Sequence, residues 1–124
     1  MPDNVLRDTF TPVQVSTSSS ADGGLFPVDR ADDLAGLFRL LGDPTRVRIL
    51  DALLAHGEMC VCDVAAAVGT TETKVSQAMR LLRSARVVRN RRDGRNVYYR
   101  LDDDHVRTLL EVSHDHVTHH RDGH

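Results

Sequence analysis

Between Asp29 and Leu101 the spacing of apolar positions changes once, and that change divides the chain into a helical part and a strand part. Leu34, Leu37, Phe38 and Leu41 recur at steps of three and four, the spacing of one helix face, and predict a first helix over Asp29–Leu41 that Gly42 stops. Asp43-Pro44 then opens a second. Asp is the N-cap, and Pro takes the first position, where its missing N–H costs nothing. Val47, Ile49, Leu50, Leu53 and Leu54 are expected on its buried side, and His56-Gly57 ends it. Cys62 to Val68 reads as a short third helix closed by Gly69. After the Thr70-Thr71 turn, Glu72 to Ser84 reads as a fourth, with Val75, Met79 and Leu82 facing inward. The period then falls to two. Val87–Arg92 and Asn96–Leu101 flank Asp93-Gly94-Arg95, a hairpin signal, and a last helix follows from about Asp103 to His119.

This order predicts a mainly α fold with a β-hairpin wing, a winged helix-turn-helix, over residues 29–120. Residues 1–28 carry Ser16 to Ser20, Gly23-Gly24 and three prolines with few large apolar groups, and are expected to form a mobile arm, with 121–124 a short tail. No apolar run approaches the roughly 18 residues that span a bilayer, and none follows basic residues as in a secretion signal. The expectation is a cytoplasmic protein with no membrane contact. The folded part is small and poor in aromatics, with no Trp, two Tyr and three Phe in the whole chain, so pairing with a second copy is expected.

Charge sharpens this picture. The net charge is −2, yet Thr70–Arg100 holds nine Lys or Arg against Glu72 and Asp93. Such a basic block inside an acidic chain is the footprint expected of a surface that holds phosphates. On the fourth helix Thr73, Lys74, Ser76, Gln77, Arg80 and Arg83 fall largely away from the inward positions. Gln suits adenine edges, Arg guanine edges, and Ser or Thr either bases or phosphates. Arg91, Arg92 and Arg95 crowd the wing tip. These nine residues are the predicted contacts to double-stranded operator DNA.

A second chemistry lies at the C-terminal end, where five of seven histidines fall between His114 and His124. His105 and His116 are three turns apart on one helix face, roughly 16 Å at 1.5 Å per residue. One ion cannot bridge that span within a chain. Two copies of the helix running antiparallel across a twofold axis bring Asp103 and His105 of one chain to His116 and His119 of the other. The result is two sites of one carboxylate and three imidazoles, a set that suits zinc, cobalt or nickel. Zinc is expected first. His114, His120 and His124 can extend the shell toward six donors, which favours nickel or cobalt. Cys60 and Cys62 are too close in sequence for an easy disulfide and read as free thiols, metal ligands or both.

Leu40-Leu41-Gly42-Asp43-Pro44-Thr45-Arg46, Cys60-Val61-Cys62-Asp63, Val75-Ser76-Gln77-Ala78-Met79-Arg80-Leu81-Leu82 and Arg92-Asp93-Gly94-Arg95-Asn96-Val97-Tyr98-Tyr99 together resemble the ArsR/SmtB family of metal-sensing winged-helix repressors. The resemblance covers roughly Ala31 to His119. The pattern formed by Asp103, His105, His116 and His119 is similar to that family's zinc-sensing signature. The resemblance implies a dimer with the last helices at its interface, DNA bound without metal, and release on metal binding. It also implies a second site type, since Cys-Val-Cys-Asp supplies thiolates in members that sense cadmium, lead or arsenic. This chain departs from the fuller patterns: Ala65 stands where the arsenic type has a third cysteine, and the arm has none. Asp3, Asp8 and Met1 of the arm are open to such a two-thiolate site, and nothing in the sequence selects among them. No nucleophile, general base or cleft suggests a zinc enzyme, and none is expected.

Overall fold

The computed structural model describes residues 27–122, so the predicted arm up to residue 26 and His124 lie outside the described residues. Helix α1 spans Val28–Leu41. Its portion through Gly36 belongs to one compact unit and Leu37 onward to another. No residue of α1 is fully buried, and Phe38, on the face predicted to be apolar, is 53% exposed. The joint to the next helix is closed by Arg46, whose guanidinium donates to the Leu40 carbonyl at 3.1 Å.

Helix α2, Pro44–His56, begins as predicted: the Asp43 carboxylate accepts from the Arg46 N–H at 3.0 Å. It ends at Gly57, whose φ of 88° turns the chain while its N–H donates to the Leu53 carbonyl at 2.8 Å. Ile49, Leu50 and Leu53 are completely buried, whereas Val47 is 39% exposed, against the expectation that it faces inward. At about 100° per residue, Val47 points roughly 110° away from the mean direction of those three. Leu54 stands at the edge of the same face and is half-buried.

Strand β1, Glu58–Cys60, was not legible in the chain, because three residues carry no period. It leads directly into α3, Val61–Val68, which starts one residue earlier than its pattern suggested. Gly69 closes α3 in the left-handed conformation, φ 80°. Helix α4, Glu72–Ser84, matches its predicted bounds; the Thr71 hydroxyl caps it by accepting from the Lys74 N–H at 3.1 Å. Strands β2, Val88–Asp93, and β3, Asn96–Leu101, form the hairpin. The two-residue turn has Gly94 first, at φ 66°, a position an L side chain adopts only with strain. The sheet is antiparallel, in the order β1-β3-β2. Helix α5 runs over Asp104–Asp122, with Asp103 just outside it.

The core is the meeting place of α2, α3, α4 and the base of the sheet. Val64, Val75, Met79, Leu82 and Val88 join the three α2 residues with at most about 2% of their surface exposed, and no polar or charged residue is buried among the described residues. Two pieces thereby become fixed relative to each other: the outward face of α4 and the hairpin beside it.

Candidate functional site

Helix α4 has two unlike faces. Val75, Ala78, Met79 and Leu82 are buried, which turns Thr73, Lys74, Ser76, Gln77, Arg80 and Arg83 to solvent. None of these six side chains has a hydrogen-bond or ion-pair partner among the described residues, so their donors are free for base edges or phosphates. The wing arginines divide differently. Arg92 and Arg95 are exposed at the tip and likewise unengaged among the described residues. Arg91, by contrast, donates from Nε and Nη2 to the two carboxylate oxygens of Glu58, at 2.9 and 2.8 Å. Its guanidinium also lies 4.8 Å from the centre of the Tyr98 ring. These two hydrogen bonds from Arg91 hold the Glu58 carboxyl below the usual carboxylate range and raise Arg91 in turn. Sequence reasoning treated the three arginines alike, because the strand that carries Glu58 had left no signal. Arg89 Nε donates a single hydrogen bond to one Asp102 carboxylate oxygen at 2.9 Å.

Of the predicted metal donors, Asp103 and His105 come together at one end of α5. One Asp103 oxygen accepts from the Val106 N–H at 3.0 Å, and the other lies 3.6 Å from His105 Nδ1. The Val106 N–H first, and His105 after it, keep the Asp103 carboxyl below its ordinary range, so it is an anion ready to bind a cation. At the other end, His116 meets His120, with ring centres 4.2 Å apart, while the His119 and His120 rings stand at 6.1 Å. Every residue from Glu111 to Arg121 is exposed. A carboxylate and neutral imidazoles have the chemistry to hold zinc, but the two ends stand roughly 16 Å apart along one helix. The donors fit the ion only if another chain supplies the other half.

The thiols are different, because one chain assembles them. Cys60 Sγ and Cys62 Sγ are 2.8 Å apart, and these two atoms and an Asp63 carboxylate oxygen all lie within 4.8 Å of one another. Strand β1 fixes Cys60, which is buried, and the first turn of α3 presents Cys62 and Asp63 to solvent. The hydrogen bond with Cys60 pushes the Cys62 thiol above its usual range, so Cys62 has a proton to lose when a metal binds. Two sulfurs on one tetrahedral ion, with bonds near 2.3 Å, sit about 3.8 Å apart, so the pair has to open by about 1 Å to take one. Ala65 is buried against the core and offers no third ligand, and Met1, Asp3 and Asp8 lie outside the described residues.

Comparison with known proteins bears on the family and the fold. Residues 43–90, from the cap of α2 into β2, match the family described as "Bacterial regulatory protein, arsR family". A "Transcriptional repressor SmtB homolog" from Synechocystis is 49% identical over 90 residues, 73% of this chain and 67% of that protein. A "Cadmium resistance transcriptional regulatory protein CadC homolog" from Staphylococcus aureus is 43% identical over 79 residues, 64% of this chain and 65% of that one. In three dimensions the chain is similar to the homodimeric winged helix-turn-helix DNA-binding domain of a possible ArsR-family regulator from Mycobacterium bovis. That solution structure superposes with a TM-score of 0.72 at 30% identity, covering 82% of this chain and 94% of the other.

Proposed function

This chain belongs to the arsR family of bacterial regulatory proteins, a family of transcriptional regulators and not of enzymes, and on that premise we propose that it is a metal-responsive repressor that leaves its operator when a divalent ion binds. The protein acts as a homodimer. Thr73, Lys74, Ser76, Gln77, Arg80 and Arg83 of each protomer read one major groove. Arg92 and Arg95 brace the wing on the backbone or minor groove, with Arg91 behind them. No helix among the described residues is long and apolar enough to cross a membrane, and the proposed place of work is the cytoplasm.

The metal site of this reading is inter-subunit, with Asp103 and His105 of one protomer and His116 and His119 of the other. The observation that carries it is the division of the donors between the two ends of a helix that leaves Val112 and Val117 61% and 55% exposed in a single chain. Zinc is the first candidate ion, since the four donors make a closed tetrahedral set. Binding works by linkage: an ion that prefers the free dimer to the DNA-bound one weakens DNA affinity by the same factor. Clamping two α5 helices fixes the angle between protomers, and recognition helices about one DNA turn apart tolerate little change in that angle.

A second reading rests on a specific observation, the assembled Cys60, Cys62 and Asp63 donors. Thiolates favour soft ions, so this site answers to cadmium, as the name of the Staphylococcus aureus relative indicates for that protein. One titration separates the two. Operator binding is followed by fluorescence anisotropy with zinc, cobalt, nickel and cadmium, for wild type, for His105→Ala with His116→Ala, and for Cys60→Ser with Cys62→Ser. Release of wild type and the serine variant by zinc, with no release of the histidine variant, is the result expected. Metal release that survives the histidine changes and disappears with the serines moves the signal to the thiols.

A further inference from the structure

The arginines of the wing offer an approaching phosphate different chemistry. Arg92 and Arg95 are exposed and without a partner among the described residues. For Arg91, each edge of the guanidinium and one of its faces are taken. Nε and Nη2 fork onto the Glu58 carboxylate, Nη1 stands 3.8 Å from an Asp93 oxygen, and the Tyr98 ring lies 4.8 Å away. Glu58 reaches Arg91 from two strands away. In the sheet it stands directly opposite Arg100 of β3, whereas Arg91 lies on β2, opposite Tyr98. The carboxylate thus passes over the middle strand and bypasses an adjacent arginine. An exposed ion pair of ordinary geometry is worth little, but a two-bond fork is the geometry in which such pairs persist. The cluster sets one positive charge against the two negative ones of Glu58 and Asp93. It therefore repels a phosphate that Arg92 and Arg95 attract.

We infer that Glu58 is a positioning residue that withholds Arg91 from the DNA backbone and so limits the affinity of the metal-free repressor for any duplex. The inference rests on the DNA-binding reading and deepens it: the wing grips through Arg92 and Arg95, while Arg91 is engaged within the protein. Phosphates carry no sequence information, so the restraint acts alike on operator and unrelated DNA. For a repressor that has to let go, a looser hold on the backbone reduces the loss of affinity that a bound ion must impose.

Full-length, metal-free protein is titrated against its operator and an unrelated duplex of equal length by fluorescence anisotropy, between about 50 and about 200 mM salt. The variants are Glu58→Gln, Arg91→Ala, both together, and Arg80→Ala, each checked for unchanged helix content by circular dichroism. Glu58→Gln is expected to tighten binding to both duplexes by the same factor, roughly threefold to tenfold at the lowest salt. The salt dependence is expected to steepen by about 0.9 for each Arg91 that reaches a phosphate. In the Arg91→Ala background the same change is expected to do little. Equal gains in the two backgrounds overturn the inference, since Glu58 then acts through its own charge alone. Unchanged or weaker binding by Glu58→Gln also overturns it, the weaker case making Glu58 a brace that holds Arg91 ready for DNA. If Arg80→Ala binds the operator as wild type does, or wild type binds neither duplex, the DNA-binding reading itself falls, and this inference with it.

Discussion

Helices α4 and α5 are both amphipathic in sequence, yet one is complete within the chain and the other is not. α4 has four residues in the core and keeps its polar side for a ligand. α5 lays only Val106 and Leu110 against the core, and beyond Leu110 every described side chain is exposed, apolar ones included. A helix anchored by one chain holds its reading face at a fixed angle. A helix anchored only at its start takes its final position from what binds it, which is where a sensor places its ligand.

The largest test of this contrast is removal of apolar volume from each helix. Leu82→Ala is expected to destabilise the protein by about 2–5 kcal/mol, as buried Leu truncations do, and Val117→Ala to change it by less than about 0.5 kcal/mol at a concentration where the chain is monomeric. Urea denaturation measures both. Equal losses would erase the distinction. Val117→Ala is expected instead to weaken self-association, read by sedimentation.

Next in size, Arg80→Ala on α4 is expected to weaken operator binding by about 1–3 kcal/mol without metal. His105→Ala on α5 leaves that metal-free affinity unchanged. Anisotropy at one fixed salt concentration reads both, and a metal-free loss in His105→Ala would show α5 touching DNA or shaping the apo dimer.

A third test separates two roles of one residue. Asn caps helices as well as Asp, whereas Ala costs about 1 kcal/mol. Asp103→Asn is therefore expected to keep stability and lose much of the zinc response, while Asp103→Ala loses both. Zinc release undiminished in Asp103→Asn would remove the carboxylate from the site.

The smallest effect is at the wing. Glu58 has its carboxyl lowered by Arg91, so this pair stabilises the fold above the ordinary carboxylate pKa, and its contribution is lost as pH falls through the lowered value. Wild type is expected to lose stability relative to Glu58→Gln between about pH 6 and about pH 3. The gap is small because both side chains are partly solvated. A gap independent of pH would mean that Glu58 acts through packing and not through charge.

Most of the fold could be read from the chain because α2, α4 and the hairpin have caps, periods and turn residues that agree. β1 could not, and with it the partner of Arg91, Glu58, went unseen. Val47 was assigned inward because its spacing from Leu50 is helical; spacing defines a face but not which edge of it the core covers. The outward residues of α4 were legible as soon as its inward ones were. The closeness of the His116 and His120 rings was not, since steps of three and four share a face and only the side-chain conformation sets which rings meet.

Strand β1 has a further consequence, for the lengths of chain that the fold can accept. Met59 faces Tyr99 on the core side of the sheet, while Glu58 and Cys60 alternate to the other face. One residue inserted after Gly57 that slipped the pairing with β3 by one would exchange the two faces, sending a carboxylate inward and a methionine outward. The Gly94-Arg95 turn bears no such burden, because both residues are exposed and nothing lies within 4 Å of the place where a Gly94 side chain would stand. An insertion scan across the two loops should thus find one that forbids a single added residue and another that accepts several. Relatives that differ in length are then expected to differ at the wing tip and to agree at the seam between α2 and α3.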